Sequence, residues 1–278
     1  MTIPTITLND GVTIPQLGFG TYLLNGQFGK NAIVDALHRG YRLLDSAFNY
    51  ENEGAVGAAI RESGIKRDDI IVTSKLPGRR HAYKQALVTI EESLFRIGLD
   101  YIDIYLIHWP NPKQGLYVEA WQALVEAKKR GYLRSIGVCN FIPEYLDKII
   151  AETGVTPSIN QIELHPYFNQ AEQRAYDKAH GIVDEAWSPM ARGNKVFTDP
   201  VLNDIAQAHG KSVTQIILRW HLQLGDVPLP KATSEAHQLE NLAVFDFTLS
   251  DDEMNRINAL SKPDGRNKDQ DPRYYEEF

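Results

Sequence analysis

The feature that most constrains this chain is a repeated alternation: eight short apolar runs, separated by segments with helical spacing, fill it from one end to the other. The runs lie at 16–21, 41–47, 70–76, 101–109, 132–140, 158–164, 182–188 and 226–232. Helical spacing occupies 32–40, 54–64, 82–98, 118–131, 143–154, 172–181 and 213–225, and several of these segments stop at a glycine, the residue a left-handed C-cap prefers. Strand and helix in strict alternation, with no linker or composition break, predict an α/β fold: one (β/α)8 barrel forming a single domain over 1–278. A length of 278 residues would also suit two domains, but the repeats leave no room for a second. Residues 1–15 predict a hairpin, because Ile6 and Leu8 alternate before Asn9-Asp10-Gly11 and Val12 and Ile14 alternate after it. Two accessory helices are expected at 198–210 and 250–260, the second with Ser250 and Glu253 placed as a capping box. The tail from Ser261 has no periodicity and must either project freely or drape across one end of the barrel.

The competing architecture is a doubly wound sheet, which would carry a glycine-rich dinucleotide fingerprint after its first strand. Gly18-Phe19-Gly20-Thr21-Tyr22-Leu23 lacks the third glycine of that fingerprint. Gly26-Gln27-Phe28-Gly29-Lys30-Asn31 fails both the spacing and the terminal Ser/Thr of a phosphate loop. Composition removes other classes. With 43% hydrophobic residues the chain can build a large core, which excludes disorder. A net charge of −7 without a basic run argues against nucleic acid or an anionic membrane as partner. The single cysteine, Cys139, rules out a disulfide framework and a multi-cysteine zinc site. No basic, apolar leader opens the chain, so a cytoplasmic location is expected.

Barrel sites form where strands end and loops begin. At those positions the polar residues are Asp45, Lys75, His108, Asn140, Gln161 with Glu163, Trp187 and Lys231. Each has an ordinary structural explanation on its own: Asp45 as a helix cap, Lys75 as a solvated amine, His108 as a hydrogen-bonded strand end. Three successive strands delivering an acid, a cation and an imidazole to one rim form a more coherent set. Tyr50, in the loop after Asp45, completes it. A phenol titrates near ~10 in water, and a neighbouring ammonium such as Lys75 would favour its ionised form. Asp45 would hold Lys75 charged, Tyr50 would give a proton to a carbonyl oxygen, and His108 would polarise that oxygen. Six of the other seven histidines, His38, His81, His180, His209, His221 and His237, show no strong metal-ligand spacing, so hydride would have to come from an organic cofactor.

These residues fall into motifs that strongly resemble the aldo-keto reductases nearly end to end: Pro15-Gln16-Leu17-Gly18-Phe19-Gly20-Thr21, Thr73-Ser74-Lys75-Leu76, Leu106-Ile107-His108-Trp109-Pro110, Ile136-Gly137-Val138-Cys139-Asn140, Asn160-Gln161-Ile162-Glu163-Leu164-His165-Pro166 and Leu229-Pro230-Lys231, with Glu240-Asn241 beyond. The short bacterial members, among them 2,5-diketo-D-gluconate reductase, are the nearest in pattern. The resemblance implies hydride transfer from NADPH to a small carbonyl substrate. It maps the catalytic tetrad onto Asp45, Tyr50, Lys75 and His108. It places Cys139, Asn140 and Gln161 at the nicotinamide carboxamide, Trp187 against the ring, and Ser188, Met190 and Arg192 along the pyrophosphate. Lys231 would meet the adenosine 2′-phosphate and Glu240 and Asn241 the adenine, with Thr21, Ala232, Thr233 and His237 also on the cofactor side. Substrate would lie among Tyr22, Phe48, His108 and Trp109, with Tyr274 and Tyr275 of the tail nearby.

The chain departs from the family pattern in four places. Ala232 and His237 stand where NADPH-specific members usually carry Ser and Arg, Cys139 replaces a Ser, and Pro77 replaces a Trp. Weaker discrimination between NADPH and NADH is therefore expected. Two other functions fit the same residues: a Schiff-base aldolase with Lys75 as nucleophile, and a cofactor-sensing regulatory protein. No apolar stripe marks a subunit interface, so a monomer is expected.

Overall fold

Asp10 and Gly11 do turn the chain. In the computed structural model, which describes residues 3–193, 195–268 and 270–278, β1 (Thr5–Thr7) and β2 (Thr13–Pro15) pair antiparallel with Ile6 opposite Ile14. Gly11 takes the left-handed conformation at φ +86° that the turn requires. The hairpin's Leu8 and Ile14 pack with Leu43, Ile104, Ile159 and Val227, so apolar side chains plug the N-terminal end of the barrel.

Eight parallel strands follow in chain order around one sheet. They are β3 (Phe19–Gly20), β4 (Leu43–Asp45), β5 (Ile71–Leu76), β6 (Ile102–Ile107), β7 (Leu133–Cys139), β8 (Ile159–Glu163), β9 (Val183–Trp187) and β10 (Val227–Pro228). The first and last meet: the Gly18 amide donates to the Pro228 carbonyl and the Gly20 amide to the Pro230 carbonyl, each at 3.1 Å. The seam needs glycine, because a Cβ on Gly20 would stand 2.8 Å from the Leu229 carbonyl oxygen. The expected barrel is therefore closed, and every strand lies inside one of the eight runs.

Around it stand α1 (Gly26–Arg39), α2 (Glu53–Ser63), α3 (Tyr83–Ile97), α4 (Tyr117–Lys129), α5 (Pro143–Thr153), α6 (Ala171–Ala179), α8 (Val213–Leu224) and α9 (Glu235–Leu242). The accessory helices are α7 (Pro200–His209) and α10 (Asp251–Asn258), and α10 has the expected capping box. Two helices differ from expectation. α1 begins at Gly26, well before 32, so the glycine-rich stretch is its opening turns; Gly29 packs against the backbone of Leu24, where a Cβ would lie 2.2 Å from the carbonyl oxygen. α9 has no counterpart among the expected helices, being only 8 residues long and mostly polar; Ser234 caps it by accepting from the His237 amide.

The tail drapes. Asn267 donates its amide to Glu163 Oε1 at 2.6 Å, and the Lys113 amide donates to Glu276 Oε1 at 2.7 Å, which ties residues near both ends of the tail to the C-terminal rim. Among the described residues no helix is long and apolar enough to cross a membrane.

Candidate active site

β4 ends at Asp45, and the chain then makes a single 3-10 turn over Phe48–Tyr50 that folds Tyr50 back over the rim. Asn52 fixes this loop by accepting from Ser46 Oγ at 2.7 Å and donating to the Thr21 carbonyl at 2.7 Å. Thr21 itself donates its hydroxyl to the Asp45 carbonyl at 2.8 Å and is fully buried. Its side chain therefore holds the Asp45 loop and does not line the cleft.

Lys75, on β5, is wholly buried, and its ammonium donates to Asp45 Oδ1 at 2.6 Å, to the Ser46 carbonyl at 2.7 Å and toward Tyr50 Oη at 3.5 Å. Burial is the strongest single influence and disfavours the charge, but Asp45, Tyr50 and Cys139 together outweigh it and raise the ammonium above its ordinary range. The Tyr50 hydroxyl is also pushed up, because burial exceeds the downward pull of Lys75. The expected lowering by Lys75 is thus present but overcome, and the phenol keeps its proton at neutral pH. His108, just beyond β6, meets the Tyr50 ring edge to face at 5.8 Å. The tetrad expected from sequence is brought together at one rim.

Behind it lies a group that sequence reasoning missed. Gln161 Nε2 donates to Asp45 Oδ1 at 2.9 Å and to Glu185 Oε2 at 2.8 Å, so both amide hydrogens are spent within the protein. Glu185 is fully buried, and burial, reinforced by Asp45, raises its carboxyl to about 7. The available signal was the two-residue period of β9, which puts Glu185 on the same face as Trp187.

The rim opens into one cleft of about 1170 Å³. Near the tetrad its walls are aromatic: Tyr22 packs on Tyr50 at 5.0 Å, and Trp109 packs on Tyr275 of the tail at 4.5 Å and on Trp187 at 6.3 Å. Cys139, Asn140 and Gln161 form its floor. Asn140, in a left-handed conformation at φ +61°, accepts from Trp187 Nε1 at 2.8 Å and donates to the His108 carbonyl at 3.1 Å, which fixes the indole. The cleft continues past Ser188, Met190 and Arg192, where Arg192 donates to Ser188 Oγ at 3.0 Å and sets its guanidinium 5.5 Å from the Trp187 ring. It ends among Lys231, His237, Glu240 and Asn241.

Other expected site residues lie elsewhere. Phe48 faces away from the cleft, its ring 3.8 Å from the Arg96 guanidinium and 5.7 Å from that of Arg79. A 3-10 turn that aims Tyr50 inward points the residue two before it outward. Ala232 is buried in the main core, and neither Thr233 nor Tyr274 lines the cleft. Glu163 pairs with the buried His165 at 3.0 Å and anchors the tail. Conversely, Lys268, Gln270 and Glu277 line the cleft from a tail in which only the tyrosines had been considered.

Comparison with known proteins agrees with this geometry. Residues 16–262 match the Aldo/keto reductase family. The chain is 49% identical over 276 residues, 99% of each protein, to 2,5-diketo-D-gluconic acid reductase B of Corynebacterium sp. (strain SHS752001). It is 44% identical over 259 residues, 92% of each, to methylglyoxal reductase DkgA of Yersinia pestis. A crystal structure of a Gox0644 mutant in complex with NADPH superimposes with a TM-score of 0.94 at 38% identity, covering 99% of this chain and 100% of that one. The chain belongs to the aldo/keto reductase family of oxidoreductases.

Proposed function

We propose that the protein reduces small aldehydes, α-dicarbonyls or keto-sugars to alcohols, with NADPH as hydride donor and Tyr50 as general acid. The observation that carries this reading is the buried Lys75 ammonium, fixed by Asp45 at 2.6 Å and standing 3.5 Å from Tyr50 Oη beside His108. Lys75 stabilises the phenolate left once Tyr50 has given its proton to the carbonyl oxygen, and Gln161 and the Ser46 carbonyl keep the Asp45–Lys75 pair in place. The same fixed charge argues against Lys75 as a Schiff-base nucleophile, which must be neutral to attack.

The donor set fits the cofactor. With both Gln161 amide hydrogens engaged, its carbonyl oxygen is the group left to accept from a carboxamide. Trp187 is held for ring contact, and Lys231 and Arg192 supply cations along a cleft of about 1170 Å³ that runs from the tetrad to Glu240 and Asn241. When bound, the reduced nicotinamide supplies the hydride. The aromatic walls formed by Tyr22, Trp109 and Tyr275 suit compact carbonyl compounds. The relatives named as a 2,5-diketo-D-gluconic acid reductase and a methylglyoxal reductase support the same class.

The test follows NADPH oxidation with methylglyoxal and phenylglyoxal for the wild type and Tyr50→Phe. Loss of a positioned general acid lowers the rate by about 10²–10⁴-fold. A wild type inactive on simple aldehydes and dicarbonyls, or a variant that keeps most of its activity, overturns the proposal.

A further inference from the structure

The tail brings a carboxylate to the catalytic imidazole. Glu277 Oε1 lies 2.6 Å from His108 Nδ1, a contact that is an ion pair only when the imidazole is protonated and whose present angle falls short of a hydrogen bond. The site around this carboxylate is built. Asn111 grips the Glu277 backbone on both sides, donating Nδ2 to its carbonyl at 2.7 Å and accepting from its amide at 3.1 Å. Gly78 leaves room for that grip, since a Cβ there would stand 2.3 Å from Asn111 Nδ2, and its own amide donates to Glu277 Oε2 at 2.9 Å. Asn49 Nδ2 donates to Oε1 at 2.8 Å. The Asn49 amide has only one usable orientation, because Arg79, a pure donor, occupies Asn49 Oδ1. Every contact to Glu277 therefore suits an anion. Burial opposes ionisation, but His108, the Gly78 amide and Asn49 together hold the carboxyl below its usual range.

We infer that Glu277 is a positioning residue for carbonyl reduction: its carboxylate keeps a proton on His108 Nδ1 so that Nε2 can carry a second one and donate to the substrate oxygen. The inference rests on the reductase reading above. A neutral imidazole has one ring hydrogen. Opposite a carboxylate that hydrogen sits on Nδ1, which leaves Nε2 as an acceptor facing a carbonyl oxygen that is also an acceptor. Only the doubly protonated ring satisfies both partners. The donor to substrate is then an imidazolium whose charge Glu277 balances, giving a charge-assisted bond roughly twice as strong as a neutral one. When the pair loses its proton in base, the donor disappears.

The surrounding groups leave this role to Glu277. His81, packed nearby after β5, is buried and pushed down to about 4, with Glu277 opposing only weakly, so it stays neutral. From the other elements, Tyr50 and Cys139 are both raised and uncharged at neutral pH. Lys75 is committed to Asp45, Arg79 to Asn49, and Glu276 to the Lys113 amide.

The experiment uses full-length protein with 15N-labelled histidine, wild type, Glu277→Gln and Glu276→Gln. Nitrogen shifts of His108 are recorded without cofactor across pH 5–10, and kcat and KM for methylglyoxal are measured at saturating NADPH over the same range. Wild type and Glu276→Gln are expected to show both ring nitrogens protonated at pH 7 and a shared alkaline loss of kcat. Glu277→Gln is expected to show a neutral ring at pH 7, no such limb, and kcat lower by about tenfold, with KM changed far less. A His108 protonation midpoint identical in wild type and Glu277→Gln overturns the pairing. A doubly protonated ring in a wild type inactive on carbonyls establishes the pairing but overturns the reductase reading and with it the catalytic use of Glu277.

Discussion

Replacing Lys75 with methionine removes one partner of a buried ion pair whose side chains are 0% and 7% exposed and 2.6 Å apart. The methionine fills similar volume, so the cost comes from charge. Among the described residues, the Gln161 amide at 2.9 Å is the side-chain donor left to offset the desolvation of Asp45. Breaking a buried pair from one side costs about 3–5 kcal/mol. At about 2 °C per kcal/mol for a chain of this size, Tm should fall by roughly 6–10 °C. Asp45→Asn should cost a similar amount, because it strands the ammonium against the Ser46 carbonyl and Tyr50. The double variant Asp45→Asn/Lys75→Met carries neither charge and should be destabilised by clearly less than the sum of the single losses. Thermal unfolding at one scan rate, in low and in 0.5 M salt, gives the cycle, and the coupling should survive salt because the pair is out of water. A Lys75→Met loss below about 1 kcal/mol, or additivity within about 0.5 kcal/mol, would falsify the assignment of a charged pair at the base of the site.

Three further outcomes are expected. Glu185 ionises near 7 in the fold against a reference of 4.5, so the folded state retains a proton that the unfolded chain has lost, and stability should fall as pH rises between those values. Glu185→Gln should therefore raise Tm at pH 8 and leave it unchanged near pH 4; an equal effect at both pH values contradicts the sign. Gly57→Ala would place a Cβ 1.7 Å from the Ile97 carbonyl oxygen and force α2 from α3, at the upper end of the ~1–3 kcal/mol typical of overpacking, whereas Gly54→Ala, with 3.6 Å of room, should be neutral or stabilising. Equal urea midpoints for the two variants would refute the close approach of the helices. His237→Arg, at the far end of the cleft, should raise the preference for NADPH over NADH by about 10–100-fold, the range of one charge-assisted contact, from a wild-type ratio below about a thousandfold. A wild type that already exceeds that ratio removes the basis for this substitution.

The residues that could be read from sequence are those whose role is written into a local period. Each strand is a short apolar run, and Asp45, Lys75 and His108 sit where such runs end, so topology alone carries them to one rim. Asp10-Gly11 and the Ser250–Glu253 box are equally local. What escaped depends on contacts across the chain. Phe48 faces out because the 3-10 turn that aims Tyr50 inward carries the residue two before it to the other side, where its ring meets Arg96. Glu185 looks like any polar residue in a strand until the Gln161 bridge to Asp45 is seen. Glu277 meets His108 across 169 positions of sequence, and nothing in the aperiodic tail indicates where it lands.

The seam between β3 and β10 bears on how the molecule is made. Its two hydrogen bonds join residues 18 and 20 to residues 228 and 230, so the ring of strands is completed by a contact spanning most of the chain. Pro228 and Pro230 offer only carbonyls, which leaves the join with few bonds to gain before it closes. During synthesis, β3 must wait with an unpaired edge until β10 emerges from the ribosome, a state prone to pairing with other chains. Nascent chains truncated before residue 226 should accordingly aggregate as open sheets, and in the finished protein the Gly18 and Gly20 amides should exchange with solvent sooner than those of β6 and β7 on the opposite side of the ring.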